Sequence, residues 1–199
     1  MTEGGHGVRK LIVMGASTGG PVAVAAILRE LPLLDACAVV IAQHLPETFT
    51  APFAARLNRE SAWPVREAQD RLVVEAGRCY VAPGGRVTEV VPDGDELRCA
   101  VRPPTPTDRY LPSIDALFSS VARLPGVRAI GVLLTGMGRD GVDGLRAMRE
   151  SGGFAIAEAR ETAVVDGMPR RARESGWVDE IVPLGAIAHR LADLCQVGR

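Results

Sequence analysis

Aromatic side chains are scarce in this sequence: two Trp, two Tyr and four Phe, or 4% of 199 residues. A core must therefore be built from Ala, Val, Ile and Leu, and a stacking platform for single-stranded nucleic acid is excluded. An excess of one charge is also missing. Lys plus Arg number 23 against 24 Asp plus Glu, a net charge of −1, with no block of like charge. Nothing here marks a nucleic-acid or anionic-membrane partner. No apolar run approaches the roughly 18–20 residues a membrane-spanning helix needs. The short run after Arg9-Lys10 is too brief for a signal-peptide core. Cysteines are few: Cys37, Cys79, Cys99 and Cys195 form no C-x-x-C pair. A zinc framework is excluded, and at this length a disulfide scaffold is not expected. Reduced thiols in a cytoplasmic protein without metal or cofactor are the expectation.

What is present is globular. Apolar residues make up 47% and charged residues 24%, and the length suits one domain. Residues 1–8 read as a flexible tail and 9–199 as the domain. Residues 11–14 (LIVM) read as a buried strand, and Gly20-Pro21 opens a helix to about residue 30. Residues 37–42 (CAVVIA) form a second strand. Thr50 reads as the cap of a helix that runs to about residue 60. Between 65 and 102, turn signals such as Pro83-Gly84-Gly85 and Pro92-Asp93-Gly94-Asp95 predict hairpins. Residues 102–110, with three prolines, should be an extended loop.

The strand–helix alternation then returns. Ser113 caps a helix to about residue 124, with Asp115 in its first turn. Residues 127–134 are the longest apolar strand, followed by a helix over 141–150, a strand over 154–157, a short helix over 169–174, a strand over 177–182 and a last helix over 184–195. Strands apolar on both faces and spaced by helices predict an α/β fold, a parallel sheet covered on both sides.

Three loops carry candidate chemistry. Gly15-Ala16-Ser17-Thr18-Gly19-Gly20 contains G-x-S-x-G between a strand and a helix, the setting in which that motif exposes a serine hydroxyl. A glycine-rich phosphate cradle is the competing reading. Of the three histidines, His6 lies in the tail and His189 in the last helix, which leaves His44 just past the second strand. A neutral imidazole there suits general-base work; a packed loop histidine is the plainer reading. Asp140, in Thr135-Gly136-Met137-Gly138-Arg139-Asp140-Gly141, could orient the histidine or simply cap the following helix. Asp143 reads better as a first-turn acid. Ser17, His44 and Asp140 each follow the carboxyl end of an expected parallel strand, where open α/β sheets bind ligands. Their chain order, Ser-His-Asp, differs from the Ser-Asp-His order of α/β-hydrolases.

These segments resemble the catalytic domain of bacterial chemotaxis protein-glutamate methylesterases. The likeness rests on IVMGASTGG (12–20), QHLPETFTAPFAARL (43–57), YVAPGG (80–85), PSIDALF (112–118), GVLLTGMGRDGVDG (131–144) and VVDGMP (164–169), in the family's order. It implies a seven-stranded, three-layer α/β/α sandwich with a hairpin insertion. It implies hydrolysis of glutamate γ-methyl esters on chemoreceptor cytoplasmic helices, with release of methanol, and deamidation of receptor glutamines. It places the nucleophile, base and acid on Ser17, His44 and Asp140, with Thr18 and Met137 lining the site and the Met137 N–H as an oxyanion donor. The family's usual receiver domain has no room ahead of the first strand here. A standalone form, answering to a separate receiver or regulatory protein, or an excised domain is therefore expected. Two departures fall on substrate contacts: Leu111 stands where the family has a basic residue, and Glu158-Ala159 where it commonly has Gln-Asp. An esterase on non-receptor substrates, and a non-catalytic phosphate- or nucleotide-binding module, are the alternatives.

Overall fold

The computed structural model describes residues 7–196; most of the expected tail, His6 included, lies outside the described residues. The chain runs β1 (Lys10–Ala16), α1 (Gly20–Glu30), β2 (Cys37–Gln43), α2 (Glu47–Glu60), β3 (Val65–Glu67), β4 (Cys79–Val81), β5 (Val87–Asp93), β6 (Glu96–Arg102), α3 (Ile114–Ala122), β7 (Arg128–Leu133), α4 (Val142–Glu150), β8 (Phe154–Glu158), α5 (Met168–Ser175), β9 (Glu180–Val182) and α6 (Leu184–Gln196). Seven strands form one parallel sheet in the order β3-β4-β2-β1-β7-β8-β9, and β5 and β6 form a separate antiparallel hairpin. No helix among the described residues is long and apolar enough to cross a membrane.

Strand alternation sends successive side chains to opposite faces, and here both faces are apolar. Ile12 and Met14 of β1 pack with Val24, Leu28, Leu57, Ile187 and Leu191 of α1, α2 and α6. Leu11 and Val13 pack with Leu117, Phe118, Leu145 and Met168 of α3, α4 and α5, and with Val90 and Cys99 of the hairpin. Double coverage explains why the strands read as unbroken apolar runs. The expected α/β/α sandwich is therefore the fold.

Two local expectations fail. α2 starts at Glu47, after Pro46, so Pro52 lies inside the helix and Thr50 does not cap it. The Thr50 side chain is fully buried. Its hydroxyl donates to the Glu47 carbonyl and the Glu67 carboxylate and accepts from Gly84 N–H, so it ties the helix to the loop after β4. The middle of the chain holds one hairpin, not several. β3 and β4 pair in parallel with each other, and β4 pairs with β2. With three residues each, they are too short to show a period that separates them from hairpin arms.

Candidate active site

β1 is the middle of the sheet, with β2 on one side and β7 on the other. Ala16 and Gln43 are register partners at the ends of β1 and β2. Ser17 and His44 are therefore the next residues along two strands spaced about 4.8 Å apart. The His44 N–H donates to the Ala16 carbonyl at 3.0 Å, and the Ser17 N–H donates to the Thr135 carbonyl beyond β7, also at 3.0 Å. The buried Gln43 side chain braces both residues: its amide donates to the Ser17 carbonyl at 2.9 Å and to the His44 carbonyl at 3.1 Å. Gly20 must lack a side chain, because a Cβ there would lie 2.0 Å from Gln43 Oε1.

Asp140 meets His44 from the β7 side. His44 Nε2 and Asp140 Oδ2 are 2.8 Å apart, with Asp140 only 1% exposed. The same carboxylate accepts from Ile114 N–H at 2.8 Å and Asp115 N–H at 3.0 Å, at the start of α3. Asp140 therefore does not cap the helix that follows it; Gly141, at φ +94°, holds that position. The carboxylate instead takes the N–H groups at the start of the neighbouring helix α3. α3 returns the contact, since Asp115 accepts from Gly144 N–H of α4 at 2.7 Å. Asp143 lies in the first turn of α4, as expected, and pairs with Arg139 at 2.8 Å.

Burial pushes the Asp115 carboxyl up to about 6; the nearby Asp140 and Asp143 carboxylates add to the rise and the Gly144 N–H opposes it. A raised carboxyl gives stability that is complete below its ordinary 3.8 and is lost as pH rises through about 6. The unfolding free energy of wild type minus that of Asp115→Asn is therefore expected to fall across that window. Urea titrations at several pH values check it; a difference independent of pH would refute the assignment.

The loop after β7 closes over Ser17. A Cβ on Gly136 would lie 2.6 Å from the Ser17 Cβ, so only glycine permits the approach. Thr135 ties three segments together. Its hydroxyl donates to the Thr18 carbonyl at 2.9 Å and accepts from Val165 N–H at 2.9 Å, and its N–H donates to the buried Glu158 carboxylate at 2.8 Å. Burial raises Glu158 above the usual carboxylate range. Thr18 and Met137 are exposed at this rim.

Among the described residues Ser17 Oγ makes no hydrogen bond to His44, so the structure joins two of the three expected side chains directly and brings the third to the adjoining strand end. Sequence reasoning missed Gln43 and Thr135, which act through backbone contacts, and Tyr110. The Tyr110 ring stacks on His44 with centroids 5.4 Å apart and 5° between planes. A rare aromatic inside a proline-rich loop was the available signal.

Fold and rim together define a doubly wound α/β domain with a serine, a histidine and an aspartate gathered over the carboxyl ends of its three central strands. The chain belongs to the CheB methylesterase family, whose model matches residues 12–191. It is 45% identical over 186 residues to protein-glutamate methylesterase/protein-glutamine glutaminase 1 of Myxococcus xanthus, covering 94% of this chain and 54% of that protein. It is 49% identical over 194 residues to protein-glutamate methylesterase/protein-glutamine glutaminase 6 of Anaeromyxobacter dehalogenans, covering 96% and 55%. The crystal structure of the Thermotoga maritima CheB methylesterase catalytic domain superposes with a TM-score of 0.89 at 34% identity, covering 93% of this chain and 98% of that one. The chain spans about half the length of the curated relatives it matches.

Proposed function

We propose that residues 9–199 form a cytoplasmic methylesterase domain. It hydrolyses glutamate γ-methyl esters on the cytoplasmic helices of methyl-accepting chemotaxis receptors and also deamidates receptor glutamines. The observation that carries this is the His44–Asp140 pair set at the strand end beside Ser17, in a chain whose relatives bear those two activities in their names.

Ser17 Oγ attacks the ester carbonyl as His44 takes its proton. With Nε2 held by Asp140, Nδ1 is the nitrogen that serves. Asp140 fixes the ring and stabilises the imidazolium. The tetrahedral oxyanion is held by N–H donors at the rim, Met137 among them, each worth about 10²–10³ in rate. His44 returns the proton to the departing methoxide, and water activated by the same nitrogen releases the glutamate. The Ser17–His44 hydrogen bond, not made in the structure, is of the kind that forms in the substrate complex. With an amide substrate the same steps release ammonia, which is the deamidation.

A macromolecular substrate suits the surface around Ser17. Phe49, Tyr110, Met137 and Val164 are large apolar side chains left 59%, 37%, 67% and 72% exposed, all on segments that frame the rim. Such a collar fits the flank of a receptor helix. Leu111 adjoins Tyr110 in this collar, whereas Glu158 and Ala159, expected to fall on substrate contacts, are buried; regulation falls to a receiver or other regulatory protein.

Methanol release from methylated receptor tests the reading. Hydrolysis of p-nitrophenyl esters with no methanol from receptor would overturn the receptor assignment in favour of a general esterase. Nucleotide binding with neither activity would overturn both. Tyr110→Ala is expected to lower kcat/KM about tenfold, the worth of an aromatic stack of ~1.4 kcal/mol, while Tyr110→Phe stays near wild type. Equal rates for all three would separate Tyr110 from His44.

A further inference from the structure

At the end of the sheet opposite Ser17, two thiols from distant parts of the chain meet. Cys37 opens β2, Cys195 lies in the last turn of α6, and their sulfurs are 3.7 Å apart. Cys37 is fully buried, whereas Cys195 is partly exposed and lines a cavity of about 1100 Å³ with Lys10 and Arg9. The Lys10 ammonium donates to the Cys195 carbonyl, which sets a positive charge beside the thiol. The hydrogen bond from Cys37, with Lys10 and Arg128, holds Cys195 below the ordinary thiol range; that bond and burial hold Cys37 above it. A partly exposed thiol held below its ordinary range, next to a buried one, is the arrangement of an attacking and a resolving cysteine. Cys79 and Cys99 are buried, and burial pushes the Cys99 thiol up to about 12.

We propose that Cys37 and Cys195 form an oxidation site, a dithiol that closes to a reversible disulfide when a peroxide enters the cavity. The Cys195 thiolate attacks one peroxide oxygen and the O–O bond breaks. The hydroxide that leaves takes up the proton Cys195 had lost and becomes water, and Cys195 becomes a sulfenic acid. The Cys37 sulfur then attacks that sulfur and the S–O bond breaks. The second hydroxide leaves with the Cys37 proton as water. Two electrons pass from the two thiols to the peroxide. Closing to a bond of about 2.05 Å needs a movement of about 1.7 Å, which a terminal helical turn, where helices fray, can supply. The bond would fasten α6 to the sheet through the start of β2, while His44 follows the other end of that strand.

The test is to treat the reduced full chain with hydrogen peroxide, count thiols, and map peptides without reduction. The four free thiols should fall to two, with loss of two hydrogens in mass, one peptide pair joining positions 37 and 195, and recovery by dithiothreitol. Cys79→Ser and Cys99→Ser should still form the bond. Cys37→Ser should instead leave a dimedone-reactive sulfenic acid at Cys195. Four thiols surviving in wild type, a bond between any other pair, or a link through Cys195 between two chains would each overturn the proposal. The wild-type result decides without relying on the folding of a variant.

Discussion

Ser17→Ala is expected to lower methanol release from methylated receptor by about 10⁴–10⁶-fold, the loss seen when a serine nucleophile is removed from a hydrolase triad. It should do so without unfolding the loop. Ser17 serves the fold through its backbone: its N–H donates to Thr135, and its carbonyl accepts from Gly20 N–H and from the Gln43 amide. Alanine keeps all of these and removes only Oγ. Thermal unfolding should therefore match wild type. Rate loss with an unchanged melt assigns chemistry to the hydroxyl; a variant retaining a tenth of the rate would place the nucleophile elsewhere.

Asp140→Asn should cost about 10²–10⁴ in rate and also destabilise the fold. The Asp140 carboxylate accepts three N–H groups, with Oδ2 shared by His44 and Ile114 and Oδ1 taken by Asp115. An asparagine offers one acceptor oxygen. Set at the Oδ2 position, its amide group faces the Asp115 N–H, donor against donor. Turned over, it faces Ile114 N–H and donates to His44 Nε2, which forces the ring proton onto Nδ1 and removes the base. Either pose leaves a buried N–H without a partner, at about 1–3 kcal/mol. Kinetics and urea unfolding on one preparation check both halves. A full-rate variant would reduce Asp140 to a brace for α3.

The three rim residues were legible because each follows a strongly apolar strand, and because only three histidines exist to choose among. Sheet order, by contrast, was not readable from residues: nothing in 37–43 or 128–133 says that both strands flank β1. Tyr110, Gln43 and Thr135 were hidden for a related reason. Their work consists of a ring face and hydrogen bonds across strands remote in sequence, and no spacing announces such contacts. Asp140 was half legible. Its place before a helix suggested a cap, but the helix it serves begins 26 residues earlier, at Ile114. The buried Thr50 shows the same limit, since a hydroxyl before a helical pattern looks like a cap whether or not the helix has already begun.

The middle position of β1 also decides which way the imidazole has to face. In the proposed mechanism a base just past β2 serves a serine just past the adjoining strand while being steadied from beyond β7, one strand farther off. Nδ1 sits close to the ring's point of attachment and has a short reach; Nε2 sits at its far tip. Spanning the end of the middle strand commits the tip to Asp140, and in the proposed mechanism this leaves the near nitrogen for Ser17. The wiring of this site is a matter of lever length across three neighbouring strands, so exchanging the places of β1 and β7 in the sheet would require the opposite nitrogen even with every side chain retained.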